Sequence, residues 1–363
     1  MTTVAILGAG KIGSAVHKIL STTKSYPYID FQCLIFDENQ NIIGRNYPAT
    51  GAVLNFSEDS VDEIAKAFIW AGVTHVINAL PFFLNEKVAQ AAAKARCSYI
   101  DFTEDDVMAD KVKEIYRDTT LNCAVKCGLA PGFINYIGYD LVKQLDTCDS
   151  LIISVGALPR TVSYDPQKPA SSYNLTWSVD GLVNEYIRPC RIKQNFQLKE
   201  VAALGGLTKL NLDGTEYEFA YTSGGVGSLL QDLKDVPNIC YKTIRYPGHY
   251  EYVQSVVCLN GGDFDAIKKD FLEDFPFTDD DVIIVYAEAI GKLDGQLTRK
   301  TFYNKYYGVE GLTGIQATTA GSGTAMLELM LTQKVKGVIS HTDVGLQDFA
   351  NTLACRKYYK TSK

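Results

Sequence analysis

The chain reads as an α/β protein: a Rossmann-type, doubly wound parallel sheet, followed by a second α+β domain. Three observations predict this. Short apolar runs alternate with helix-period segments across residues 1–133. The first run ends in glycines that open a helix. Near Phe133 the texture changes to polar, turn-rich and later hairpin-like segments.

Val4–Leu7 is the first strand, stopped at Gly8, and Ile12, Ala15, Val16, Ile19 and Leu20 then share one helical face. Phe31–Phe36 is the second strand and ends at Asp37. Ser60–Trp70 has helical spacing at Val61, Ile64, Ala65 and Phe68. His75–Leu80 is a strand cut off by Pro81, and Asn85–Ala95 is an alanine-rich helix. Cys97–Asp101, Val107–Tyr116 and Asn122–Cys127 continue as strand, helix, strand. Parallel βαβ units bind ligands at the carboxyl ends of their strands. Gly8–Gly13, Asp37, Asn78–Pro81, Asp101–Phe102 and Gly128–Pro131 are therefore the segments to watch.

Beyond Phe133, Leu151–Val155 is strand-like and 163–172 is a long polar stretch. Val282–Leu293 and Leu297–Tyr307 are β-rich runs joined by Asp294-Gly295, a strong hairpin signal. Thr318–Lys334 is again helical in pattern. The expected organisation is a dinucleotide-binding domain at 1–133, an α+β substrate and dimerisation domain at 134–314, and 315–363 returning to pack on the first.

Composition narrows the partners. A net charge of -7 with scattered basic residues argues against nucleic acid and anionic membrane. No apolar run reaches the roughly 18 residues of a membrane span. The first strand begins directly after the initiator, with no signal-like segment before it, so a cytoplasmic protein is expected. The nine cysteines lack a CxxC pair and several sit in apolar runs, such as Cys33 and Cys258, so they read as reduced and buried. His17, His75, His249 and His341 are dispersed, and no metal site is expected.

The strongest motif is Gly8-Ala9-Gly10-Lys11-Ile12-Gly13, because it follows a strand and opens a helix. Gly8 permits the tight turn, Gly10 lets the backbone approach a pyrophosphate, and Gly13 permits close packing of helix on strand. Asp37 ends the second strand, at about the 20-residue spacing at which an acidic residue meets the ribose. It favours NAD over NADP, because a carboxylate there repels a 2′-phosphate. Gly321-Ser322-Gly323 has no strand running into it and reads as close helix packing. Gly224-Gly225-Val226-Gly227 is either a loop near substrate or a turn.

Several longer strings carry a resemblance. Gly8–Gly13, Gly128-Leu129-Ala130-Pro131-Gly132 and Thr243-Ile244-Arg245-Tyr246-Pro247-Gly248-His249 resemble the saccharopine dehydrogenase family. Tyr173-Asn174, Trp177-Ser178-Val179-Asp180-Gly181-Leu182, Tyr186-Ile187-Arg188-Pro189 and Tyr221–Gly225 are most similar to its short branch, which contains lysine 6-dehydrogenase. The resemblance implies a Rossmann domain plus an α+β domain, and hydride transfer at a carbon bearing nitrogen. In lysine 6-dehydrogenases NAD oxidises the lysine ε-carbon to an imine, which water opens to the semialdehyde. It also implies that Leu129, Ala130, Pro131, Trp177 and Ser178 approach the nicotinamide, and that Asp101 and Phe102 approach the substrate, with Asn174 and Trp177 beside it. The chain departs from the family in the acidic run Thr103–Asp106 and in the insert at 163–172.

Chemistry adds roles. An amino acid's carboxylate suits a bidentate arginine, with Arg245 first and Arg188 second. The reacting amine must lose a proton, which His249 could take; Asp101, at a strand's carboxyl end, could hold an ammonium or serve as that base. The plainer alternatives are an Arg245 that only pairs with a surface carboxylate and a His249 that only braces a turn after Pro247-Gly248. The expected partners are an amino-acid substrate and a second copy of the chain. A reductase making a secondary amine, as in saccharopine or carboxynorspermidine synthesis, is the alternative enzyme. A non-catalytic NAD-binding regulator is the alternative of another class.

Overall fold

A computed structural model describes residues 2–22, 30–161 and 173–359. The polar stretch at 163–172 and the end of the chain at 360–363 lie outside the described residues. From the N-terminus the elements are β1 (Thr2–Leu7), α1 (Lys11–Thr22), β2 (Phe31–Asp37), α2 (Gln40–Asn46), β3 (Gly51–Val53), α3 (Val61–Trp70), β4 (His75–Asn78), α4 (Asn85–Lys94), β5 (Ser98–Asp101), α5 (Asp106–Tyr116), β6 (Cys123–Ala124) and α6 (Phe133–Lys143). Then follow β7 (Thr147–Pro159), α7 (Val179–Ile187), β8 (Cys190–Gln194), β9 (Gln197–Val201), β10 (Thr208–Leu212), β11 (Thr215–Tyr221), α8 (Leu229–Asp232), β12 (Asn238–Arg245), α9 (His249–Leu259) and α10 (Phe264–Asp274). The chain closes with β13 (Asp281–Leu293), β14 (Gln296–Tyr307), α11 (Gly314–Leu331), β15 (Val338–Ile339), α12 (Leu346–Ala350) and α13 (Leu353–Tyr358).

The described chain divides into two compact units, 1–133 with 316–360, and 134–315. The first holds a seven-stranded sheet in the order β15-β6-β5-β4-β1-β2-β3. Every neighbouring pair in it is parallel. Strands buried on both faces explain why the sequence shows continuous apolar runs there. Ile64, Phe68, Val88, Ala92 and Val112 from α3, α4 and α5 pack on Ala5, Leu7, Val76 and Tyr99 of the sheet. A capping box at Ser60 and Glu63 starts α3.

The second unit holds a mixed eight-stranded sheet, β10-β11-β12-β7-β13-β14, with β8 and β9 branching from β12. Only β12 and β7 run parallel in the main path. The β13–β14 hairpin turns on Asp294 and Gly295, at φ 52° and 76°, the left-handed pair that a two-residue turn requires. Leu182, Val183 and Tyr186 of α7, Val253 and Val256 of α9, and Ile267 and Phe271 of α10 share one core with Phe219, Ile244 and Ile284.

Two readings of the sequence need correction here. Cys258 is exposed on α9, although it sits in an apolar run; Cys33 and Cys240 are half-buried, and none of the nine cysteines is in a disulfide. The strand expected at Asn122–Cys127 forms ladder pairs only over Cys123–Ala124, since Lys126 takes a left-handed φ of 63°. Gly321 and Gly323 do serve close packing: a Cβ on Gly323 would lie 2.5 Å from the Phe102 ring. Among the described residues no helix is long and apolar enough to cross a membrane.

Candidate functional site

In the first unit the glycine loop links the end of β1 to α1. Gly8 has φ 92°, and its N–H donates to Phe36 O at 2.8 Å. A Cβ on Gly13 would stand 1.8 Å from Gly8 O, so only glycine lets helix and strand meet. A Cβ on Gly10 would meet nothing within 4 Å. The exposed Gly10 and Lys11, and half-buried Ile12, thus border open space at a helix start with no acidic residue in its first turn. That is the space and the polarity a pyrophosphate needs, so these residues fit a dinucleotide.

Asp37 braces this loop. Its Oδ2 accepts from Ala9 N at 2.7 Å and its Oδ1 from Asn39 N at 2.8 Å. Each oxygen keeps a lone pair for a ribose hydroxyl. Ala79 O and Leu80 Cδ2 lie 3.1 and 3.3 Å from a Cβ on Gly8, so the loop after β4 flanks the glycine turn, with Pro81 exposed. Asn78, in contrast, is turned inward. Its Nδ2 donates to Asn85 Oδ1 and to Tyr99 Oη, both at 2.9 Å, and its Oδ1 holds Leu80 N. Its side chain shapes the loop and is spent on that task.

Asp101 is corrected in the same way. It is 1% exposed. Oδ1 accepts from Thr103 N and Lys126 N, and Oδ2 from Asn85 Nδ2 and Tyr99 Oη, at 2.9–3.2 Å. Burial pushes its carboxyl up to about 6, against those hydrogen bonds. Four donors from its own unit leave it pinning strand ends, with no lone pair turned to a ligand. The acidic run beside it is also structural. Asp105 caps α5 through Met108 N at 2.9 Å, and Asp106 pairs with the buried Lys126 ammonium at 2.6 Å, which also donates to Glu104 O. Phe102 is half-buried on Gly323.

The GLAPG string forms a tight loop in which Gly128 bridges Gly132 and Gly128 O accepts from Phe133 N at 3.0 Å. Gly132 has φ 135°, and a Cβ there would strike Gly128 O at 1.9 Å. Leu129 and Pro131 are buried while Ala130 is half-exposed.

In the second unit the sequence candidates converge on a buried polar cluster. Arg245 is 1% exposed at the end of β12. Its Nε donates to Tyr186 Oη at 2.8 Å, its Nη1 to Ile244 O at 3.0 Å, and its Nη2 lies 3.6 Å from Glu185 Oε2. The guanidinium carbon sits 5.0 Å from the Tyr173 ring centre and 5.7 Å from that of Tyr186. Tyr186 Oη is 2.9 Å from His249 Nε2. Tyr173 and Phe275 flank the imidazole at 4.8 and 5.7 Å. Among the described residues Glu185 Oε2 and His249 Nδ1 are buried and make no hydrogen bond, Glu185 Oε2 facing the Arg245 cation at 3.6 Å. Such atoms are rare, and a group of them asks for a ligand or water.

Electrostatics changes two assignments. Burial, and then the Arg245 cation, hold His249 well below its ordinary pKa, so it is neutral at neutral pH and a weak proton acceptor. Burial pushes Glu185 up to about 7, with Arg245 pulling the other way. Glu185 was absent from the sequence candidates. The signal for it is a carboxylate on the apolar stripe of α7, in register with the buried Leu182 and Tyr186.

The remaining candidates surround α7. Trp177 lies against Gly181, where a Cβ would meet its ring at 2.4 Å. Exposed Ser178 caps the helix by accepting from Gly181 N at 3.3 Å, a structural bond that needs no cofactor. Asn174 is half-buried, and Arg188 is exposed at the far cap. Gly225 is packed beneath Tyr241, and Asn135 Nδ2 donates to Val226 O at 2.8 Å, so the glycine-rich stretch is a fixed turn.

Comparison with known proteins agrees with both halves. The fold matches the saccharopine dehydrogenase (L-Glu forming) of Saccharomyces cerevisiae at TM-score 0.74 and 13% identity, over 96% of each chain. It matches a homospermidine synthase of Legionella pneumophila, solved with NAD, at 0.64 and 11%, over 98% of this chain and 89% of the other. The DAP dehydrogenase of C. glutamicum, solved with DAP, matches at 0.50 and 12%, over 97% of this chain and 96% of the other. Residues 4–127 match the family model described as the saccharopine dehydrogenase NADP binding domain, and 128–354 that of the saccharopine dehydrogenase C-terminal domain. The chain, with its NAD(P)-binding unit and its mixed-sheet unit, belongs to the saccharopine dehydrogenase family of oxidoreductases.

Proposed function

We propose that the protein oxidises the carbon bearing the side-chain amine of a lysine-like amino acid, with NAD as the hydride acceptor. The observation that carries this reading is the Arg245 cluster, a buried cation beside a carboxylate oxygen and an imidazole nitrogen that make no hydrogen bond among the described residues. An apolar substrate would leave those atoms unsatisfied, whereas an amino acid supplies both charges that they need.

Gly8–Gly13, Asp37 and the half-exposed Ala130 would hold the dinucleotide, which supplies hydride transfer when bound. Asp37 supports NAD over NADP through its repulsion of a 2′-phosphate. Arg245 has N–H groups beyond the three already engaged, and they suit the substrate carboxylate. Glu185 Oε2, which faces the Arg245 guanidinium at 3.6 Å and titrates near neutrality, takes the proton from the amine. Once Glu185 is neutral it no longer balances Arg245, and the full cationic charge then falls on the carboxylate. The rings of Tyr173, Tyr186, Tyr250 and Phe275 keep water from the cluster.

Steady-state turnover of L-lysine, saccharopine and diamines, each with NAD and NADP, tests this. Activity with lysine and NAD is expected. Turnover confined to saccharopine would favour the reductase reading, and no turnover with any amine would overturn both.

A further inference from the structure

The chain Arg245–Tyr186–His249 fixes where one proton resides. The Arg245 Nε–H can only donate, so Tyr186 Oη accepts it at 2.8 Å. The Tyr186 hydroxyl proton must then go elsewhere, and the partner in reach is His249 Nε2 at 2.9 Å. If Nε2 carried the proton instead, Tyr186 Oη would receive two donors. Its own proton would be stranded, and so would the Nδ1 lone pair. The first arrangement strands one group, Nδ1–H, and the second strands two. A doubly protonated ring is disfavoured beside Arg245, and the other groups facing His249 are the uncharged rings of Tyr173, Tyr250 and Phe275.

We infer that Tyr186 fixes His249 as the Nδ1–H tautomer, so that His249 donates a hydrogen bond to a carboxylate oxygen of the substrate and takes no proton from it. This rests on the amino-acid reading above. It makes Tyr186 a positioning residue that acts through His249. It also gives the unpartnered Nδ1 a purpose that a brace for the turn does not supply.

The tautomer is read directly by 15N NMR of the full-length chain labelled at histidine, with the His249 signal assigned by its loss in His249→Asn. The expected spectrum from pH 6 to 8 has a protonated Nδ1 and a bare Nε2, and Tyr186→Phe should abolish that fixed assignment. A proton on Nε2, or on both nitrogens, overturns the inference. Kinetics with L-lysine and NAD then reads the donor. An asparagine amide can donate near the Nδ1 position, whereas glutamine reaches the Nε2 position. His249→Gln should raise KM for lysine by about tenfold to a hundredfold, and His249→Asn by only about threefold, because a hydrogen bond to a charged acceptor is kept in one and lost in the other. Equal losses in both, each with kcat falling and KM unmoved, would mark a proton acceptor and overturn the donor role. The expected tautomer in a chain that turns over no amino acid would sink the proposed function while upholding the Tyr186–His249 relay. Should either variant fail to fold, the spectrum of the unaltered chain still decides.

Discussion

Two glycines of the same motif should fail in opposite ways. Gly10 faces open space, with nothing within 4 Å of where a Cβ would stand, whereas a Cβ on Gly13 would lie 1.8 Å from Gly8 O. Gly10→Val should therefore fold normally and lose the dinucleotide. Its methyls would hold a pyrophosphate away from the backbone at the start of α1, and two charge-assisted hydrogen bonds at about 1.5–3 kcal/mol each would go. That is a hundredfold or more in Kd at about 1.4 kcal/mol per decade. Gly13→Ala should bind poorly only because it folds poorly. Its contact is about half an ordinary one, and overpacking of this kind costs roughly 1–3 kcal/mol. For a unit of this size that lowers the first melting transition by about 2–10 °C. Isothermal titration with NAD and a thermal melt followed by circular dichroism read the two effects apart. Undiminished NAD affinity in a natively folded Gly10→Val chain would refute the placement of the pyrophosphate. A wild-type melt of Gly13→Ala would refute the close approach of helix and strand.

Asp37→Ser should narrow a preference for NAD over NADP in the same titrations, and a wild-type chain that prefers NADP would defeat the argument from charge. Arg245→Met should lower kcat/KM for lysine by roughly 30-fold or more. It should also destabilise the second unit by about 3–5 kcal/mol, because Glu185 is left buried without its counter-ion. Wild-type kinetics and stability together would move the carboxylate elsewhere, Arg188 being the next place to look. Glu185→Gln should abolish the pH dependence of kcat/KM. In the unaltered chain the carboxylate form is the active one, so the rate should rise as pH passes through about 7 and level off above it. A profile rising through the same region in Glu185→Gln would exonerate Glu185.

The first unit was the more legible because each of its signals is local. Val4–Leu7 and Phe31–Phe36 announce buried strands by being apolar throughout, and the glycine spacing is a property of consecutive backbone units. The short β3 and β15 carry too few residues to show a pattern, and both lie at edges of the sheet. Asp101 was misread because a strand's carboxyl end says where a residue lies, not which way it turns; Tyr99, two residues earlier on the same face, draws it inward. The Arg245 cluster joins α7, β12 and α9 through side chains that are 59 and 63 residues apart in sequence, and no periodicity records such distances. Its members were legible singly, as Arg245, His249 and the Tyr186 string. That the counter-ion of Arg245 is the buried Glu185 was not.

The parallel sheet of the first unit is closed by a strand from the far end of the chain. Asn122 Oδ1 accepts from Gly337 N, and Lys126 O faces His341 Nε2, both across 215 residues. During synthesis β6 is therefore an open edge while the whole second unit is made. At typical elongation rates that wait lasts roughly 10–40 s. An unpaired strand flank in that interval is a template for pairing with another chain. The short length of β6, two residues, limits what such a partner could grip. The main body of the second unit is contiguous from 134 to 315, so it can be finished first and residues 316–360 then complete a domain begun in residues 1–133.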